Sequence, residues 1–390
     1  MVMHIPLKSS SLLLLCAVAL AGCGGGSASK LVDDLVDAEK QRITGQIQGL
    51  VEPITIEVLG QQVTLDTDGS FDLDVDANSA PFSAQLVEQG EQVCLLSPVE
   101  TDKLLPSLRV NCAAKLPLAD AIAKVPNENL RQCLTTNLTQ TYAHEVTEVK
   151  CNQYLIDSVT GLDDFIALAS LTLAHNRLTT VDLSANWSLT ELTIQNNQLT
   201  SLDLSQLSNL RVLRLLSTEM ATIDISHNRN LAELWLVRGQ LAQLDVSVNK
   251  DLEKLYLFDN PLMQVDLSHN TKLTHLSLAN TQVTAMDVSP LSELTFLALS
   301  NNDIDYMDLS NNVKLNNVQL ANAKLTDLDV TNNPSLQILN LSNNQLTLLP
   351  TGLANINDKN AEITLTQNPL SDAAKANAAQ LQQEYSKLTY

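Results

Sequence analysis

The sequence predicts a mostly β protein: a repeat solenoid with two parallel sheets and helical caps, preceded by a small antiparallel β-sandwich. Three observations carry that prediction. An aliphatic-x-aliphatic core begins at residues 171, 192, 213, 234, 255, 276, 297, 318 and 339, an interval of 21 without a slip. An aspartate recurs at the same interval, at Asp182, Asp203, Asp224, Asp245, Asp266, Asp287, Asp308 and Asp329. Residues 43 to 114 instead alternate apolar and polar side chains in short runs broken by Gly, Asn, Asp and Pro, the pattern of antiparallel strands.

Composition bounds the function. The 390 residues are 44% hydrophobic but only 3% aromatic, so the core is aliphatic. The net charge of −21 repels a phosphate backbone and sets nucleic acid aside as a partner.

The chain opens on a targeting segment. Lys8 gives the positive start, LLLLCAVAL follows, and Leu20, Ala21, Gly22 and Cys23 close it. LAGC resembles the lipobox of bacterial lipoproteins. That resemblance implies a signal peptide at 1–22, acylation of Cys23 and membrane attachment through the acyl chains; three chains, at about 0.8 kcal/mol per buried CH2, anchor stably. Gly24, where an inner-membrane lipoprotein would carry Asp, points to an outer-membrane protein of the cell envelope, facing the periplasm or the exterior. Residues 23–42 are read as the lipidated Cys and its tether, GGGSASK being flexible and LVDDLVDAEKQR a short amphipathic helix.

Cys16 leaves with the signal, and four cysteines remain beyond Cys23. An even number outside the cytoplasm implies disulfides. Local placement pairs Cys94 with Cys112 and Cys133 with Cys151. The β-sandwich at 43–114 resembles small immunoglobulin- or transthyretin-like modules of bacterial surface proteins, which implies a spacer. Within it, DTDGSFDLDVD reads as an Asp68-Gly69 hairpin signal, not a calcium loop. Residues 115–148 form an N-terminal cap, with VPNENLRQCLTTNL helical and Asn127 or Asn129 as its N-cap.

The solenoid occupies 149–370. LxxLxLxxN alternates with LxxLDLSxN, and this 21-residue unit resembles the leucine-rich repeat of internalin J and related bacterial surface proteins. The family carries Cys in the first strand core, where this chain has Leu173, Ile194 and Leu215. Each repeat is read as one turn with two short strands, one turn being too small to bury its leucines alone. Asn176, Asn197, Asn260, Asn302 and Asn344 follow the first strand; Asn186, Asn228, Asn249, Asn270, Asn312 and Asn333 follow the second. There an amide side chain can satisfy turn backbone. Residues 371–390 are the C-terminal capping helix, with Ser371 as N-cap.

The Asp column is uniform and reads as frame. Each aspartate has a hydroxyl two residues on, from Ser184 to Thr331, able to bond the carboxylate or the turn. Binding needs variety, and variety sits on the outward positions of the first strand. Large apolar and aromatic side chains cluster over three turns: Leu216, Trp235, Val237, Tyr256 and Phe258, with Val212 beside them and Arg214, Glu233 and Lys254 as a charged rim. These nine residues are the candidate ligand site. A protein partner is the first reading; a carbohydrate-binding module and an envelope structural protein are the alternatives. The scattered histidines suggest no metal site, and no catalytic motif or cofactor fingerprint occurs, so no enzyme is expected.

Overall fold

The computed structural model describes residues 3–5, 40–76, 82–88, 90–99 and 107–390. Of the segment read as a signal peptide only Met3–Ile5 are described, as an edge strand beside Phe82–Glu88, where a cleaved leader is expected to contribute nothing to the mature fold; Cys23 and the tether up to residue 39 lie outside the described residues. The chain divides into two compact units, residues 1–118 with 141–145, and 119–140 with 146–390.

The first unit holds two four-stranded sheets. One runs β1 (Met3–Ile5), β6 (Phe82–Glu88), β3 (Ile54–Val58), β4 (Gln61–Leu65); the other runs β5 (Gly69–Asp76), β2 (Lys40–Gln48), β8 (Ser107–Ala114), β7 (Gln92–Val99). Alternating side chains point inward, so Ile43, Ile47, Ile54, Ile56, Val58, Leu73, Val75, Phe82, Leu108 and Val110 form one buried core. β3 and β4 make a hairpin over Leu59 and Gly60, both left-handed at φ 51° and 82°, as a two-residue turn with the strand twist requires. Cys94 and Cys112 face each other across β7 and β8 and are bonded. The Phe71 ring fills the space that a Cβ on Gly45 would occupy.

Three features depart from the sequence reading. β2 begins at Lys40, because Lys40–Arg42 pair with β5 and Arg42 bridges Asp72 and Asp74; these residues are strand, not the end of a helix. β2 and β8 are parallel within an otherwise antiparallel unit. Asp68-Gly69 joins two sheets and makes no hairpin: the Asp68 carboxylate accepts the Gly49 and Leu50 N–H groups at 3.1 and 2.9 Å, tying the connection to the end of β2.

The second unit begins with two short helices, α1 (Leu118–Lys124) and α2 (Glu128–Asn137). Asn127 caps α2 by accepting the Leu130 N–H at 2.7 Å. α1 is an addition to the single helix expected here. The Cys133–Cys151 disulfide ties α2 to the residue after β9 (Glu148–Lys150).

A single parallel sheet of twelve strands follows, from β9 through β10 (Ser170–Thr172), β11 (Glu191–Gln195), β12 (Val212–Leu216), β13 (Glu233–Val237), β14 (Lys254–Tyr256), β15 (His275–Ser277), β16 (Phe296–Ala298), β17 (Asn317–Gln319), β18 (Ile338–Asn340) and β19 (Glu362–Thr364) to β20 (Leu388–Thr389). From β10 to β18 each strand pairs with the next in a register of 21 residues, so equivalent residues stack along the axis. Leu171, Leu173, Leu178, Leu183 and Leu189 are buried in one turn, and their equivalents in the others. Each such leucine contributes about 1.5–3 kcal/mol by leaving water.

The second sheet is not there among the described residues. The segments around the eight aspartates form no ladder, apart from one isolated bridge, Asp329 to Thr351. The cause is local. Every Asp carboxylate accepts the N–H two residues on, from Ser184 to Asp182 at 3.0 Å through Thr331 to Asp329 at 2.8 Å, which turns the chain before a strand can extend.

Both asparagine columns bond backbone between turns. In the first, Asn197 donates to Leu173 O at 2.8 Å and accepts from Leu178 N at 3.1 Å. In the second, Asn249 donates to Ile225 O at 3.2 Å and Asn228 O at 2.8 Å.

At the C-terminal end, Ser371 caps α3 (Asp372–Leu381) through the Ala374 N–H at 3.2 Å. The helix does not run to residue 390. Tyr385 is fully buried with its hydroxyl on Ile356 O at 2.7 Å, and the chain returns as β20 beside β19.

Candidate functional site

The outward face of β12–β16 gathers most of the predicted site. Register places Arg214, Trp235, Tyr256 and Ser277 in one column and Glu233, Lys254, His275 and Phe296 in the adjacent one. Strands about 4.8 Å apart bring rings in one column into contact. Trp235 and Tyr256 stack with centroids 3.8 Å apart and planes 25° apart.

Glu233 holds this arrangement. Its Oε1 accepts from Arg214 Nε at 3.0 Å, Arg214 Nη2 at 2.7 Å and Trp235 Nε1 at 2.7 Å, while Lys254 Nζ lies 3.6 Å from Oε2. Burial pushes the Glu233 carboxyl up, but the hydrogen bonds from Arg214 and Trp235 and the charges of Arg214 and Lys254 outweigh it and hold it below the usual range. Burial, then the Glu233 charge, raises the Tyr256 phenol. Arg214 and Glu233 are thus hydrogen-bonded fixtures, and Glu233 holds the indole ring.

Not every predicted residue belongs. Val212 lines a cavity beside the stack. Leu216 and Phe258 are half-buried on the same face. Val237 is 3% exposed and is not at the surface: it packs with Met220, Leu236 and Leu241 around the place where Thr218 and Gly239 replace the turn asparagine.

Two features are additional to the sequence reading. His275 and Phe296 stack at 5.8 Å and continue the aromatic stripe over two more turns; their 21-residue spacing in the Glu233–Lys254 column is the signal for it. Burial, then Lys254, lowers the His275 pKa. The second feature is an amide ladder at the strand ends, where one residue per turn is left-handed. Arg238 pairs with Asp259, and Asn280, Asn301, Asn322 and Asn343 each donate to the residue one turn earlier. Asn and Asp tolerate that backbone region best after Gly, and the Asn-Asn pairs at 196, 301 and 343 announce it.

The eight aspartates of the opposite segment are exposed, and hydrogen bonds to their own turns lower the carboxyl pKa of each. Among the described residues, no three His, Cys, Asp or Glu side chains converge as a metal site.

A leucine-rich-repeat family model matches residues 335–356. No curated protein matches the chain. Among solved structures, the functional domain of InlJ from Listeria monocytogenes, which includes a cysteine ladder, matches at TM-score 0.61 and 27% identity, over 71% of this chain and 60% of that one. The solenoid is thus a leucine-rich-repeat fold similar to that of internalins. The internalin InlF from Listeria monocytogenes strain 4b F2365 has the same fold, at TM-score 0.54 and 21% identity over 70% of this chain and 90% of that one. The chain spans 60% of the InlJ domain, and its own strand core carries the buried Leu173, Ile194 and Leu215. Its fold is that of an interaction scaffold, typically non-enzymatic, and its two disulfides suit an extracytoplasmic compartment.

Proposed function

We propose that this internalin-like protein is anchored to the cell envelope through acyl chains on Cys23 and binds a protein partner through the outward face of β12–β16. The β-sandwich at 43–114 serves as a spacer, and adhesion or another surface interaction is the role. One observation carries the reading: the Trp235–Tyr256 stack, locked by the Glu233 network, on the non-repeating face of an otherwise uniform solenoid. Aromatic anchors with arginine nearby, held rigid before contact, are what protein hot spots are made of.

The test uses the chain without residues 1–22 and with Cys23 replaced, presented to envelope proteins, host surface proteins and glycans. Trp235→Ala with Tyr256→Ala should weaken a protein ligand at least about 30-fold, the effect of a 2 kcal/mol hot spot, with the circular dichroism spectrum unchanged. Equal binding by wild type and variant, or a ligand displaced by polysaccharide, overturns it. Acylation is checked separately: Cys23→Ala should release the full chain from the membrane fraction.

A further inference from the structure

Beside the aromatic stack, a cavity of about 380 Å3 opens over the first residues of four strands, lined by Thr190, Glu191, Arg211, Val212, Ala232, Glu233, Glu253 and Lys254. Its shape follows from side-chain size. Ala232 interrupts a column between Arg211 and Glu253, and Val212 lies between Glu191 and Glu233 in the next, so short side chains floor a slot with charged walls.

We infer that this cavity receives a basic side chain, lysine or arginine, from the protein partner, with an apolar neighbour of that side chain lying on the Trp235–Tyr256 stack. The inference rests on the platform reading above and names the partner's chemistry. Three carboxylates and two cations line the slot. Glu191 and Glu253 are exposed at its walls. Glu233 commits Oε1 to three donors, while its nearest cation on Oε2, Lys254, stands at 3.6 Å, beyond a good hydrogen bond. That oxygen is the acceptor left for an arriving donor. The net charge of −21 favours the same sign of occupant, since an acidic partner would approach against the field of the whole chain. The volume exceeds what one lysine or arginine head group fills, which leaves room for its methylene stem over Val212 and Ala232.

The probes are acetyl-Ala-Phe-Arg-Phe-Ala-amide and its Gln- and Glu-centred analogues, titrated by calorimetry and indole fluorescence into the mature soluble chain. The Arg peptide should bind at least about tenfold tighter than the Gln peptide, a difference of 1.4 kcal/mol, and the Glu peptide weakest; the Arg preference should shrink as salt rises. Ala232→Leu, which fills the slot, and Glu253→Gln, on the exposed wall, should each reduce the preference. Trp235→Ala should weaken all three peptides equally. Equal binding of the Arg and Gln peptides, or a preference that survives Ala232→Leu, overturns the inference while the platform stands. A preference that persists with no effect of Trp235→Ala sinks the platform and leaves the slot. Three peptides without binding at millimolar concentration overturn both.

Discussion

The side-chain amide of Asn249 donates to the backbone carbonyl of Asn228, one turn earlier, at 2.8 Å, and Asn228 repeats the bond on Leu207. The second asparagine column therefore stitches consecutive turns together inside the core. It does so at a cost, for the Oδ1 atoms of Asn228, Asn249, Asn270, Asn312 and Asn333 are buried without a hydrogen-bond donor. Leucine occupies the same position at Leu207 and Leu291, both buried. Asn249→Leu should accordingly be milder than Asn249→Ala. Both lose the two donated bonds, but leucine fills the space and removes the orphan acceptor. Urea melts should show Asn249→Ala destabilised by about 2–4 kcal/mol, from unpaired carbonyls plus a cavity, and Asn249→Leu by less.

The first asparagine column supplies a steric prediction. A Cβ on Gly239 would stand 2.8 Å from Asn260 Oδ1, the acceptor of the Leu241 N–H. Gly239→Ala should displace that amide and destabilise the solenoid by about 1–3 kcal/mol. The midpoint of a denaturant melt is the readout, and an unchanged midpoint would show that Asn260 yields freely.

The aspartate column predicts an acid response. Each of the eight carboxyls has a folded pKa below the ordinary 3.8. A depressed pKa adds stability at pH above the unfolded value and loses it as pH falls through the folded one. Tm should thus fall from near pH 4 downward, and less steeply in a variant carrying Asp203→Asn, Asp224→Asn and Asp245→Asn. At neutral pH, Asp182→Asn should be nearly silent because its oxygen can still accept the Ser184 N–H. Asp182→Ala should lower Tm by about 2–4 °C.

His275 offers a local probe of the aromatic stripe. Burial and Lys254 lower its pKa, opposed by Glu233. An NMR titration should find it below 6.5, and Lys254→Ala should move it upward. A midpoint unchanged by Lys254→Ala would mean that burial alone sets it.

The Cys133–Cys151 disulfide predicts where the solenoid loosens first. It closes a loop of sequence separation 18 and fastens α2 to the start of the array. Cys133→Ser with Cys151→Ser should cost about 3 kcal/mol on the loop-entropy model, and amide exchange should quicken in β9 and β10 before β16.

Much of this architecture is legible in the sequence because a fixed period turns one residue's environment into a column's. The leucines, both asparagine columns and the Asn127 and Ser371 caps follow from spacing and side-chain chemistry. The missing second sheet does not. Leu-Asp-Leu alternates like a strand, and only the bond from Ser184 N–H to Asp182, two residues apart, distinguishes a turn. Val237 is misread for a related reason. Alternation predicts exposure, but Val237 is buried beside the place where Thr218 and Gly239 stand for the turn asparagine. β20 follows a helix, and its pairing is set by where buried Tyr385 anchors the chain.

The amide ladder from Asn280 to Asn343 has a consequence for how such a molecule can change. Each rung presents to the next turn the same group that it meets on the turn before, so the ladder contains its own template. Excising residues 303–323 would join Asn302 to Lys324 and set Asn343 directly above Asn301, with the buried columns still aligned. Twenty-one residues is therefore the unit in which this chain can gain or lose length, and reach is adjustable independently of the aromatic face that gives it a target.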